Sequence, residues 1–144
     1  MNSVQDKNII HESLHWRVIL MPDQTYLGRS VVVLKRKCGD LAEVTHEEIL
    51  DFMDSVVIRL ENAFRVAFGA TMFNWTCLMN NAYLEEIPDP QVHWHFRPRY
   101  RKPVEFEGEL FSDQNFGHHY ELDVEKLISK ELREEIVKKV QLHL

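Results

Sequence analysis

The chain has 144 residues, 44% of them hydrophobic, which suits one globular domain around one core. Its formal net charge of −6 excludes a scaffold that binds extended nucleic acid through bulk positive charge, but leaves room for a local basic cluster that takes a small anion. Cys38 and Cys77 make no disulfide framework, Met1 to Lys7 is no secretory signal, and no apolar run nears the roughly 18–20 residues of a membrane span. A cytoplasmic protein with free thiols and no membrane partner is expected.

Residues 1–13 carry little pattern and read as a tail or a short first element. Trp16 to Met21 and the β-branched run Ser30 to Leu34, separated by the turn-like Pro22-Asp23-Gln24-Thr25, predict an antiparallel hairpin. Lys35-Arg36-Lys37 then reads either as a solvated strand end or as an anion contact. Thr45-His46-Glu47-Glu48 is a capping box, with His46 exposed. The helix it opens carries Ile49, Phe52, Met53, Val56, Leu60, Ala63, Phe64 and Ala67 toward the core and stops at Gly69. Thr71 to Asn80 predicts a central strand buried on both faces, antiparallel to the next one. After an irregular or short extended piece over 101–106, Leu122 to Leu142 has the spacing of an amphipathic helix.

The stretch that suggests chemistry is Gln91 to Tyr100. A strand period puts Val92, Trp94 and Phe96 on one face and Gln91, His93, His95 and Arg97 on the other. Pro98 is expected to end this strand or to place it at an edge. At about 3.3 Å rise per residue, two imidazoles at i and i+2 converge on one ligand. One imidazole can attack phosphorus while the other donates to a phosphate oxygen, with Arg97 or Arg99 offsetting the anionic charge. The same pair could hold a metal ion, for which His118 and His119 are the further candidates.

From Asn80 to Tyr100 the chain resembles the histidine-triad family of nucleotide hydrolases and transferases, whose signature is His-φ-His-φ-His-φ-φ, often followed by Pro-Arg. Anchored on Pro98-Arg99-Tyr100, Gln91 stands where the first histidine belongs. The resemblance implies a single domain over 1–144 of α+β class. Its core would cover about 14–101, with a mostly antiparallel sheet, one long helix after the first hairpin and a C-terminal helix over about 122–142. It implies that His93 is the nucleophile of a nucleotidyl-histidine intermediate and that His95 bonds the reacting phosphate. A backbone carbonyl of the first triad position orients the nucleophile, and Gln91 keeps that carbonyl. Asn80 matches the asparagine before the phosphate loop. Lys37 falls where a phosphate-site histidine is common, and Asp23 where a ribose-contacting carboxylate is often found.

The family's Gly-Gln loop is replaced by Tyr83 to Pro90, in which Glu86 or Asp89 could serve as an acid for the leaving group. The implied activity is cleavage of a nucleoside phosphoanhydride or phosphoramidate, nearest to the diadenosine-polyphosphate hydrolase-like branch. No cofactor is required, magnesium would at most arrive with the nucleotide, and a homodimer is implied. Two alternatives stand beside it: a nucleotide-binding or sensing protein without turnover, and a His-x-His metal-binding enzyme.

Overall fold

Apolar alternation in the first quarter of the chain builds a meander. In the computed structural model, which describes residues 7–144, β1 (Ile9–Glu12), β2 (Trp16–Leu20) and β3 (Ser30–Leu34) pair antiparallel in sequence order. The expected hairpin is present and has one more strand in front of it; residues 1–6 of the patternless start lie outside the described range. Trp16, Val18, Leu20, Val32 and Leu34 are buried, and the residues between them are half-buried. β4 (Met72–Thr76) and β5 (His93–Arg99) complete an antiparallel sheet of order β1-β2-β3-β5-β4.

Two expectations about this sheet are corrected. The strand before the histidines, β4, is antiparallel to β5 as predicted, but it lies at the sheet edge and is only half-buried. Pro98 neither ends β5 nor sits at an edge, since β5 runs through it between β3 and β4. The lost donor costs nothing there. Thr71 N–H donates to the Arg99 carbonyl, so odd positions of β5 bond β4 and Pro98 faces the β3 side, where pairing has already stopped at Ser30 opposite Phe96.

Thr45 caps the helix as expected, its hydroxyl accepting from Glu48 N at 3.2 Å, and α1 (His46–Asp51) begins there. Only half of the capping box forms, because the Glu48 carboxylate turns to Arg36 at 2.9 Å. α1 continues through a π-helical segment (Phe52–Val57) into α2 (Ile58–Phe68), and Gly69 ends it with φ +75°. Phe52, Val56, Leu60, Phe64 and Phe68 are all buried at a strict spacing of four. On an α-helix that spacing drifts by about 40° per step, and the wider i→i+5 turns take part of the drift back. Ile49 and Met53, expected in the core, are 39% and 47% exposed, because they lie off this stripe.

Past β5 the chain forms a small hairpin, β6 (Val104–Phe106) and β7 (Glu109–Phe111). Its turn residues Glu107 and Gly108 both have positive φ, as a two-residue hairpin turn requires. The last helix, α3 (Lys130–Gln141), starts well after Leu122, with Ser129 as its cap. Residues 122–128 spend their backbone elsewhere: Lys126 O accepts from Gln24 N at 2.8 Å, and Lys126 N and Ile128 N donate to Asp23 Oδ1 and Pro22 O. The helical elements cover one face of the sheet, and the segment around Tyr120 lies against the other. Among the described residues no helix is long and apolar enough to cross a membrane.

The β2–β3 loop is held by buried Gln24, whose amide donates to Met21 O and Arg29 O and accepts from Gly28 N. Gly28 has φ +95°, and a Cβ there would stand 2.2 Å from Phe64 Cε1. Gly28→Ala is therefore expected to cost about 2–4 kcal/mol in urea denaturation. A loss below about 1 kcal/mol would mean that the loop moves off Phe64 freely.

Candidate active site

β5 presents its two faces as its sequence requires. Trp94 stacks on Phe52 with ring centroids 5.2 Å apart, and Phe96 meets Phe64 at 5.4 Å, so the alternate side chains His93, His95 and Arg97 emerge on the opposite face. They line a cavity of about 370 Å³ with Gln91, with Asn80 from the β4–β5 connection, and with Arg29 just before β3. Its lining holds two guanidinium groups and no carboxylate, in a chain of net charge −6.

The two imidazole centroids are 4.9 Å apart, with the rings near perpendicular. His93 Nδ1 lies 2.8 Å from the Gln91 backbone carbonyl. A carbonyl only accepts, so Nδ1 carries the proton and Nε2 keeps its lone pair. The Gln91 side chain does not reach for a ligand. Its Oε1 accepts from Cys38 N at 3.0 Å, and its Nε2 donates to Leu34 O and Arg36 O at 2.8 and 2.7 Å. Three backbone groups at the exit of β3 thus hold the residue whose carbonyl orients His93.

His95 is pushed down to about 4, first by burial and then by the charges of His93 and Arg97. It is neutral at neutral pH. Arg97 stacks its guanidinium on the Tyr120 ring at 3.8 Å. Burial, and then Arg29 beside it, lower the affinity of Arg97 for its proton.

Arg99 is fully buried and does not line the cavity, which corrects its expected part in binding phosphate. Its Nε and Nη2 donate to Asp113, Nη2 also donates to the Asn115 carbonyl, and Nη1 donates to Asn74 Oδ1 and the His118 carbonyl, so no donor is left for a substrate. Lys37 also stands away from the cavity, paired at the surface with Asp89 at 2.6 Å. Asp23 is engaged with Arg29, Thr25 and the Lys126 amide beside a smaller adjoining recess of about 50 Å³. Burial alone would raise its pKa, but the Lys126 amide, Thr25 and Arg29 together lower it.

His118 and His119 border a different groove along β4, and His119 Nδ1 donates to the Tyr120 carbonyl. Among the described residues no three His, Cys, Asp or Glu side chains gather to hold a metal ion. Glu85, Glu86 and Asp89 are all exposed and do not line the cavity. Arg29 and Tyr120 were not among the candidates read from the sequence. Arg29 follows a turn with no periodicity to mark it, and Tyr120 lies on a segment held to the sheet by the bonds of Arg99 to Asp113, Asn115 and His118 and of Tyr26 to Glu121.

No protein-family model and no curated protein matches the chain. Solved structures do. A histidine triad (HIT) protein from Sinorhizobium meliloti 1021 superposes with a TM-score of 0.71 at 14% identity, over 100% of this chain and 96% of that one. A histidine triad protein from Marinobacter aquaeolei VT8 gives 0.69 at 18% identity, over 100% and 94%. A Hit-like protein involved in cell-cycle regulation from Bartonella henselae gives 0.67 at 16%, over 98% and 91%. The chain has the histidine-triad fold.

Within the histidine-triad fold of this chain, Gln91 serves three backbone partners with two donors and one acceptor. A neutral imidazole offers one of each. Gln91→Leu is expected to lose about 1–3 kcal/mol in urea denaturation, with Gln91→His recovering only part of it.

The folded pKa of His95 lies below its ordinary 6.5, so the native state binds fewer protons than the unfolded chain on acidification. This contribution is intact above about 6.5 and is lost as pH falls toward about 4. Urea midpoints measured between those values are expected to fall more steeply for wild type than for His95→Asn. Parallel slopes would place the acid sensitivity elsewhere.

Proposed function

We propose that the chain is a nucleotide hydrolase or transferase that works through a nucleotidyl-histidine intermediate. The observation that carries this reading is the His93 Nδ1–H bond to the Gln91 carbonyl, which leaves a nucleophilic Nε2 in an anion-favouring cavity. Nε2 attacks the α-phosphorus of a nucleoside phosphoanhydride or phosphoramidate. The N–P bond forms as the bond to the leaving group breaks, and the leaving group departs with the electron pair. His93 gains positive charge, which the Gln91 carbonyl stabilises through Nδ1–H. Neutral His95 donates a hydrogen bond to a phosphate oxygen. Water, or an acceptor in a transferase, then attacks phosphorus, its proton passes to solvent, and Nε2 is released.

Asn80 and Arg97 bind the nucleotide in this reading, and the Gln91 backbone, rather than its side chain, serves the reaction. No resident metal is needed, and any magnesium comes with the substrate. The free edge of β4 and the exposed Leu78, Tyr83 and Leu84 that follow it support pairing with a second copy into a homodimer. Two free cysteines support a reducing, cytoplasmic setting.

A second reading, nucleotide binding without turnover, is favoured by one observation: Asp89 pairs with Lys37 outside the cavity, so no acid faces a leaving group. The test is a single-turnover incubation of wild type and His93→Ala with α-phosphate-labelled diadenosine tetraphosphate and a nucleoside phosphoramidate. Labelled wild type with released mononucleotide, and neither from His93→Ala, is the expected result. Nucleotide bound by both proteins with no label and no product would select the binding protein.

A further inference from the structure

Arg97 is 5% exposed, and among the described residues its side chain makes no hydrogen bond and no ion pair. The other buried charged side chains are matched: Arg99 holds Asp113 and Glu48 holds Arg36. The Arg97 nitrogens open into the cavity, and a largely desolvated guanidinium with no protein partner is normally found with an anion. Arg97 also stands where the triad signature places an apolar residue, which makes it a feature of this chain rather than of the signature.

Beside it, Arg29 spends Nη1 on Asp23 and leaves its buried Nε without a partner. Asp23 neutralises Arg29, so the cavity keeps one uncompensated positive charge, on Arg97. On β5 the Arg97 and His95 Cα atoms are about 6.6 Å apart, and the Tyr120 ring holds the guanidinium by a stack at 3.8 Å. The planar fork of an arginine suits the paired oxygens of a phosphate.

We propose that Arg97, supported by Arg29, forms a second anion subsite, so that the preferred substrates carry a further phosphate beyond the one held by the histidines. The phosphate at the histidines rests on the function proposed above; the second subsite stands on the unpartnered Arg97.

The test is calorimetric titration of wild type, Arg97→Met and Arg97→Lys with inorganic phosphate and with inorganic tripolyphosphate, at neutral pH and fixed ionic strength. Wild type is expected to bind tripolyphosphate about tenfold or more tightly than phosphate. Arg97→Met should bring the ratio to within about twofold, and Arg97→Lys should keep an intermediate ratio. An unchanged ratio in Arg97→Met, equal weakening of both anions, or no binding of either anion by wild type would overturn the subsite. Thermal melting checks that the variants fold. Should Arg97→Met fail to fold, Arg29→Gln, which leaves β5 and the Tyr120 stack in place, must lower the ratio, and an unchanged ratio would overturn the proposal. Loss of the tripolyphosphate preference in Arg97→Met, with no histidine adduct from labelled nucleotides, would keep the subsite and remove the enzyme. An adduct with an unchanged ratio would do the reverse.

Discussion

The aromatic contacts under β5 fix the direction in which its chemistry points. Phe52 and Phe64 seat Trp94 and Phe96, and a one-residue slip of the strand would exchange the indole and phenyl rings for imidazoles and a guanidinium. Such a slip would bury three polar groups in the core and expose its largest rings. The register that holds the core together is therefore the one that aims His93, His95 and Arg97 into the cavity. The π-helical segment from Phe52 to Val57 belongs to the same arrangement, because it keeps Phe52 and Phe64 over the strand.

Charge is handled differently on the two sides of Pro98. Arg99 has a carboxylate, an amide oxygen and backbone carbonyls around it, and this buried cluster draws residues 113–120 back across the sheet. Arg97, one strand step along the same face, has only a tyrosine ring. The first arrangement makes a structural joint, and removing one partner of such a pair typically costs about 3–5 kcal/mol. The second leaves a charge directed at whatever enters the cavity.

Much of this was legible in the sequence wherever local chemistry decides the outcome. The Thr45 cap, the Gly69 stop, the β2–β3 hairpin and the two faces of β5 all follow from spacing and residue type. Legibility ended where a distant partner decides. Pro98 is tolerated because β3 ends opposite Phe96, a fact about another strand. Leu122 to Ile128 has helical spacing, yet the Asp23 carboxylate and the backbone of Gln24 and Pro22 capture that stretch. The strand period assigned Arg99 to the site face, but Asp113 decides what it does there. Arg29 and Tyr120 meet the histidines only through tertiary contacts that no window of sequence contains.

The lacing between the β2–β3 loop and the last third of the chain sets an order of assembly. Asp23 bonds Lys126 across a separation of 103 residues, and Tyr26 bonds Glu121 across 95. During synthesis, the loop that carries Arg29 leaves the ribosome long before those partners exist. Contacts of such separation pay their loop-closure entropy late. The cavity is thus among the last parts of the molecule to be completed, and a nascent chain that already contains both histidines still lacks the wall that closes over them.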